Sequence, residues 1–177
     1  PFLALVVAMA DLSMAYRTIP TSQPWYTAIG FFNPTSQPPA PEYYWLPGHN
    51  FGLASAVVNF NRYPELLVIS LRALFALVID HYYNDFIIPD LEAGRRSALD
   101  VLEDFILMCG IGSRRTTRQP VRSPELDPAK TKEPLHSNVV LGVMANLSSA
   151  SSTPPSVRFY AEPERVRSVL AAFRAAY

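Results

Sequence analysis

An unbroken apolar run, Phe2-Leu3-Ala4-Leu5-Val6-Val7-Ala8-Met9-Ala10, closes on Asp11. A strand that is apolar at every position must be covered on both faces, and here it delivers one acid to its exposed end. Further along, His81-Tyr82-Tyr83-Asn84-Asp85-Phe86-Ile87-Ile88-Pro89 runs aromatic and β-branched up to a short polar pair and away again. That pattern predicts a tight β-hairpin with Asn84-Asp85 near its tip. Asp11 and Asp85 would then stand at two strand ends, where carboxylate oxygens can share a divalent cation.

The remaining periodicities fill in an α+β chain. Trp25 to Phe32 and Glu42 to Leu46 read as two arms of a hairpin around a Pro-rich loop. Ala54 to Asn61 lacks Gly and Pro and predicts helix, with Pro64 suited to the first turn of a continuing or restarted helix through about Ala76. Leu67, Leu71, Leu74 and Val78 mark its expected buried face. A second amphipathic helix shows Ala98, Leu99, Leu102, Phe105, Ile106 and Cys109 on one side and stops at Gly110. Both helices are expected on one side of the sheet. Residues 112–124 are polar, carry Arg114, Arg115, Arg118 and Arg122, and read as a flexible basic insertion. Asn138 to Leu147 predicts a strand, Ser148 to Pro155 a turn, Val157 to Tyr160 its return, and Pro163 to Tyr177 a helix with Val166, Leu170 and Phe173 inward.

Four boxes in order, Asp11 to Pro20, Phe51 to Arg62, Tyr82 to Asp85 and Val139 to Val143, together resemble the reverse transcriptases of retroelements. Tyr82-Tyr83-Asn84-Asp85 resembles their Tyr-x-Asp-Asp box, with Asn84 in place of one Asp; Asp11-Leu12-Ser13-Met14-Ala15-Tyr16-Arg17-Thr18-Ile19-Pro20 resembles the first catalytic motif. Phe51-Gly52-Leu53-Ala54-Ser55-Ala56, followed by Phe60-Asn61-Arg62, is similar to the second, although Gly48-His49-Asn50 separates it from Leu46-Pro47. Val139-Val140-Leu141-Gly142-Val143 is similar to the Phe-Leu-Gly-Val strand that follows the palm. The resemblance implies a reverse-transcriptase-like palm, an antiparallel sheet with helices packed on one face. It adds part of the fingers over residues 20–50 and the start of a thumb over residues 163–177.

It also implies a chemistry. Two Mg²⁺ ions would transfer a deoxynucleotide to a primer, held by Asp11, Asp85 and a third carboxylate whose position Asn84 occupies with a neutral amide. Tyr16 matches the position under the incoming sugar, and Leu12, Phe51 and Gly52 the nucleotide's surroundings. Lys130 or Lys132, on the turn Leu126 to Lys132, would meet the leaving pyrophosphate. Arg17, Asn61, Arg62, Tyr82, Tyr83 and Gly142 fall where that family meets template and primer. The bland alternatives are a capping Asp, a half-buried strand aromatic, a turn glycine and solvated charges.

Composition narrows the setting. The 177 residues carry fifteen basic and fifteen acidic side chains, so nucleic acid binding must come from a local patch rather than a global field. A single cysteine excludes a disulfide framework and makes an intracellular setting the default. The opening run is about half the roughly 20 residues a membrane span needs, and it has no basic leader or cleavage site. His49, His81 and His136 lack zinc-ligand spacing, and there is no Gly-rich phosphate loop or nucleophile elbow. Because the chain opens on Pro1, it reads as a single-domain fragment lacking the rest of the fingers, the thumb and any ribonuclease H segment. The expected function is therefore an impaired RNA-directed DNA polymerase fragment acting on template, primer and deoxynucleotides. The alternatives are a non-catalytic nucleic-acid-binding remnant and an unrelated α+β interaction module.

Overall fold

In the computed structural model, which describes residues 4–13, 15–36, 38–50, 52–109 and 126–176, the opening run forms β1 (Leu5–Asp11). It lies inside a four-stranded antiparallel sheet ordered β4 (Asp80–Tyr82), β5 (Asp85–Leu91), β1 and β6 (Lys132–Leu135). Burial on both faces explains the run's lack of alternation. Ala8, Ala10 and Leu12 join a core with Phe60, Leu67 and Leu71 of α1 (Ala54–Phe75) and Leu99, Leu102 and Ile106 of α2 (Ser97–Cys109). On the opposite face Val7 packs with Ala145 and Leu147. Strand β6 is not signalled by periodicity; it tolerates Pro134 because it is a sheet edge, where a missing N–H costs no ladder bond.

Helix α1 runs unbroken through Pro64, which is buried. Its inward stripe is Ala56, Phe60, Pro64, Leu67, Val68 and Leu71, and the expected Leu74 and Val78 are 67% and 68% exposed. Two local facts account for this. The buried stripe stops at Leu71, and Phe75, itself 48% exposed, meets the half-buried Phe105 edge-on at 6.0 Å. Ala76 then adopts φ 53° and gives its N–H to the Arg72 carbonyl, while the Leu77 N–H turns back to the Leu71 carbonyl, ending the helical period before Val78. In α2 the expected inward Cys109 is exposed at the helix end, and Phe105 is half-buried. Gly110 and the basic stretch 112–124 lie outside the described residues.

The expected strand over Asn138 to Leu147 is instead a hairpin of β7 (Ser137–Val140) and β8 (Val143–Asn146), extended by β9 (Arg158–Ala161). Leu141 at φ 51° and Gly142 at φ 80° make the turn between them. This layer is tied to β1 by the buried Asn138, whose Nδ2 donates to the Val7 carbonyl at 2.9 Å and the Glu133 carbonyl at 3.0 Å. The β1–β6 register shifts between Val7 and Met9, so Asn138 serves a carbonyl where the ladder is irregular.

Two elements carry apolar faces at the surface. Helix α3 (Pro163–Ala176) was expected to turn Val166, Leu170 and Phe173 inward, yet they are 41%, 51% and 64% exposed. Its period specifies an apolar stripe without specifying a surface to receive it. The hairpin of β2 (Ala28–Asn33) and β3 (Ala40–Trp45) forms in the expected place and exposes Phe31, Phe32, Tyr44 and Trp45, with Trp25 beside it. The architecture is thus α+β, with antiparallel sheets and three helices among the described residues. Among those residues no helix is long and apolar enough to cross a membrane.

Candidate functional site

The register of β1 against β5 pairs Ala10 with Phe86 and Asp11 with Asp85. Ala10 and Phe86 belong to the helix-side core, so by strand alternation the two acids project together from the other face. Directly opposed residues have Cβ atoms about 5 Å apart, and like charges so placed repel. The hairpin turn is Tyr83-Asn84, one residue earlier than the pattern suggests, with Tyr83 at φ 54° and Asp85 already the first residue of β5. That turn aims Asn84 back at β1. Its carbonyl accepts the Leu12 N–H at 2.8 Å, and its Nδ2 donates to Asp11 Oδ2 at 2.6 Å.

A second turn supplies the opposing charge. The Asp127 N–H donates to the Asp11 carbonyl at 2.7 Å, and Asp127 in turn accepts the N–H groups of Ala129, Lys130 and Thr131. This holds Lys130 with Nζ 3.2 Å from Asp11 Oδ1 and 3.4 Å from Oδ2. Asp11 is the one charged side chain among the described residues that is buried, at 5% exposure. Burial lifts its pKa above the ordinary carboxylate value; Lys130 opposes that, and the neighbouring Asp85 carboxylate adds to it. The acid pair is therefore a concentration of negative charge that the protein only partly offsets.

Beside Asp85 lies a cleft of about 330 Å³ lined by Met9, Lys130, Lys132, Leu141 and Gly142 among others. Of the two candidate lysines, Lys130 reaches the acids, while Lys132 Nζ donates to the Val139 carbonyl at 3.4 Å. A Cβ on Gly142 would meet the end of the Arg165 side chain of α3, which can swing aside; it is the φ of 80° that favours glycine at this turn.

The other expected site residues are more dispersed. Leu12 is 1% exposed with its side chain in the core, and its N–H is taken by Asn84, which leaves neither group for a nucleotide. Tyr16 is half-buried, its ring 5.0 Å from that of Phe60. Gly52 is exposed at φ 91° with open space around it, and Phe51 lies outside the described residues. Arg17 and Arg62 are exposed, and Asn61 is half-buried with Oδ1 lacking a protein partner. Tyr82 and Tyr83 stand edge-on at 4.7 Å, both at the surface of the hairpin that carries Asn84. Sequence reasoning missed Asn138, for which a lone polar residue in an apolar strand is the signal.

Among the described residues no three His, Cys, Asp or Glu side chains gather into a cation-binding group, so the acid pair is completed by an amide and an ammonium. Neither a known family's profile nor any curated protein sequence matches the chain.

Proposed function

We propose that this chain carries the palm-like part of a retroelement-type RNA-directed DNA polymerase whose catalytic site is impaired. The observation that carries the reading is the opposition of Asp11 and Asp85 on adjacent strands, with Asn84 on the turn between β4 and β5. Two like charges directly across a ladder weaken a sheet unless a positive group is meant to stand there. The motifs that the resemblance joins, from Asp11 through the Tyr82 hairpin to the Leu141-Gly142 turn, support the same assignment.

The donor set fits one divalent cation and falls short of two. Mg²⁺ is content with one or two carboxylates plus water and phosphate oxygens, which Asp11 and Asp85 can supply. The third position offers a neutral amide, and its N–H end faces Asp11 at 2.6 Å. A bound ion would supply charge neutralisation and a more acidic hydroxyl at the primer end. The chain's own part is to hold the acids in register through β1 and β5, and to present Lys130 to phosphate oxygens in the cleft.

A second reading, a nucleic-acid-binding remnant without chemistry, is favoured by the donors already seated on Asp11, Lys130 and Asn84. Fluorescence anisotropy with a primer–template duplex, run beside Mg²⁺-dependent incorporation of deoxynucleotides, separates the two. The polymerase reading expects salt-sensitive duplex binding and slow extension that Asp11→Asn abolishes. Binding with no extension, indifferent to Asp11→Asn, selects the second reading. No duplex binding at low salt overturns both.

A further inference from the structure

Lys130 holds a position that a metal ion would otherwise want. Its Nζ lies 3.2 and 3.4 Å from the two oxygens of Asp11, the buried acid, and Asn84 Nδ2 takes a further lone pair of Oδ2. An ammonium is a compact point charge on a flexible stem. Seated on Asp11, it does what a cation would do there, satisfying carboxylate lone pairs and offsetting the repulsion from Asp85. It also obstructs. A divalent ion on the same two oxygens would meet a positive charge at contact distance, in a setting where burial weakens screening by water.

The two partners differ in freedom. The Asp11 side chain is 8% exposed and fixed by its strand, whereas that of Lys130 is 61% exposed and rises from a turn anchored through Asp127. The lysine has water and the neighbouring cleft to move into without disturbing the backbone. We propose that Lys130 is a built-in counterion on Asp11 that excludes a divalent cation while it is seated, so that cation entry requires its ammonium to swing away. This rests on the reading of Asp11 and Asp85 as a cation site, and it assigns Lys130 an inhibitory contact in addition to any role toward phosphates.

The test is a titration of the chain with Mn²⁺ at low ionic strength, with free ion measured by electron paramagnetic resonance. Lys130→Met should bind Mn²⁺ about tenfold more tightly than the parent, equivalent to about 1.4 kcal/mol. Lys130→Gln should do the same, and carries the test if the Met variant fails to fold. Lys130→Arg, which keeps the charge, should stay within about threefold of the parent. Lys132→Met makes the same change in net charge two residues away and should also stay within about threefold. If Lys130→Met leaves Mn²⁺ affinity unchanged or weaker while Asp11→Asn weakens it, the exclusion is wrong and the cation site stands. Equal tightening by Lys132→Met also overturns the exclusion, since net charge would then account for it. If Asp11→Asn has no effect in either the parent or the Lys130→Met background, there is no cation site at Asp11 and both inferences fall.

Discussion

The hairpin of β4 and β5 and the hairpin of β2 and β3 are both rich in aromatic residues and both join antiparallel strands. They meet different fates in the fold. In the first, β5 pairs along its whole length with β1, and Phe86 and Ile88 reach 0% exposure against the two helices. In the second the strands pair only with each other, and Phe32 and Trp45 remain 68% and 67% exposed. A two-stranded sheet is marginal in water, so side-chain pattern alone does not bury a hairpin; a third strand or a helix must receive it. The candidate site sits on the hairpin that has such a partner, which is what holds two like charges in register.

The contrast is sharpest in the cost of removing a ring. Phe86→Ala, at the fully buried position, should lower unfolding free energy by about 3–5 kcal/mol in urea titration. Phe32→Ala on the exposed hairpin should stay within about 0.5 kcal/mol and reduce binding of an apolar dye. Equal losses at the two positions would mean that the β2–β3 hairpin is buried in solution. A smaller effect is expected at the second face of the sheet. Asn138→Ala leaves the Val7 carbonyl buried without its donor and should cost about 1–3 kcal/mol. A near-neutral result would mean that the β1–β6 irregularity is satisfied in another way.

The smallest effect is a pH dependence at the rim that joins the two layers. His136 Nδ1 donates to the Leu5 carbonyl at 2.9 Å, and Glu92 lies 3.2 Å from Nε2; the carbonyl first, and Glu92 after it, raise the imidazole pKa. A raised pKa means that the folded state prefers the protonated ring. Its stabilisation is fully present below the ordinary value of about 6.5 and is lost as pH rises through the folded value. His136→Gln should therefore flatten the decline in stability on passing upward through neutral pH. An unchanged slope would remove His136 from the account.

Much of this arrangement is legible in the chain wherever an element's own pattern decides it. The continuous apolar run gives β1, the aromatic run gives the β4–β5 hairpin, and acids at their ends give the pair, because strand alternation and pairing then leave little choice. The splitting of the strand at Leu141-Gly142 follows from backbone conformations that flanking apolar residues conceal. Strand β6 is hidden by Pro134, which an edge accepts and an interior strand would not. Which lysine reaches Asp11 depends on the turn built on Asp127, and Lys130 and Lys132 are equivalent without it. Exposure of Val166, Leu170 and Phe173 cannot be read from helical period, since an apolar stripe looks the same whether or not something covers it.

We propose that one amide, that of Asn84, stands where a catalytic site needs a carboxylate, and Asn84→Asp tests this most directly. The two residues are nearly the same shape, so the change exchanges the Nδ2 donor on Asp11 for a third acid beside the pair. Without a cation the variant should be less stable than its parent, because repulsion replaces a hydrogen bond. With Mg²⁺, and with template, primer and deoxynucleotides present, its incorporation rate should rise by orders of magnitude, since several kcal/mol of charge stabilisation correspond to a factor of ten per about 1.4 kcal/mol. Asp11→Asn in the same background should abolish the gain. A parent chain that extends primers as fast as the Asn84→Asp variant would contradict the account.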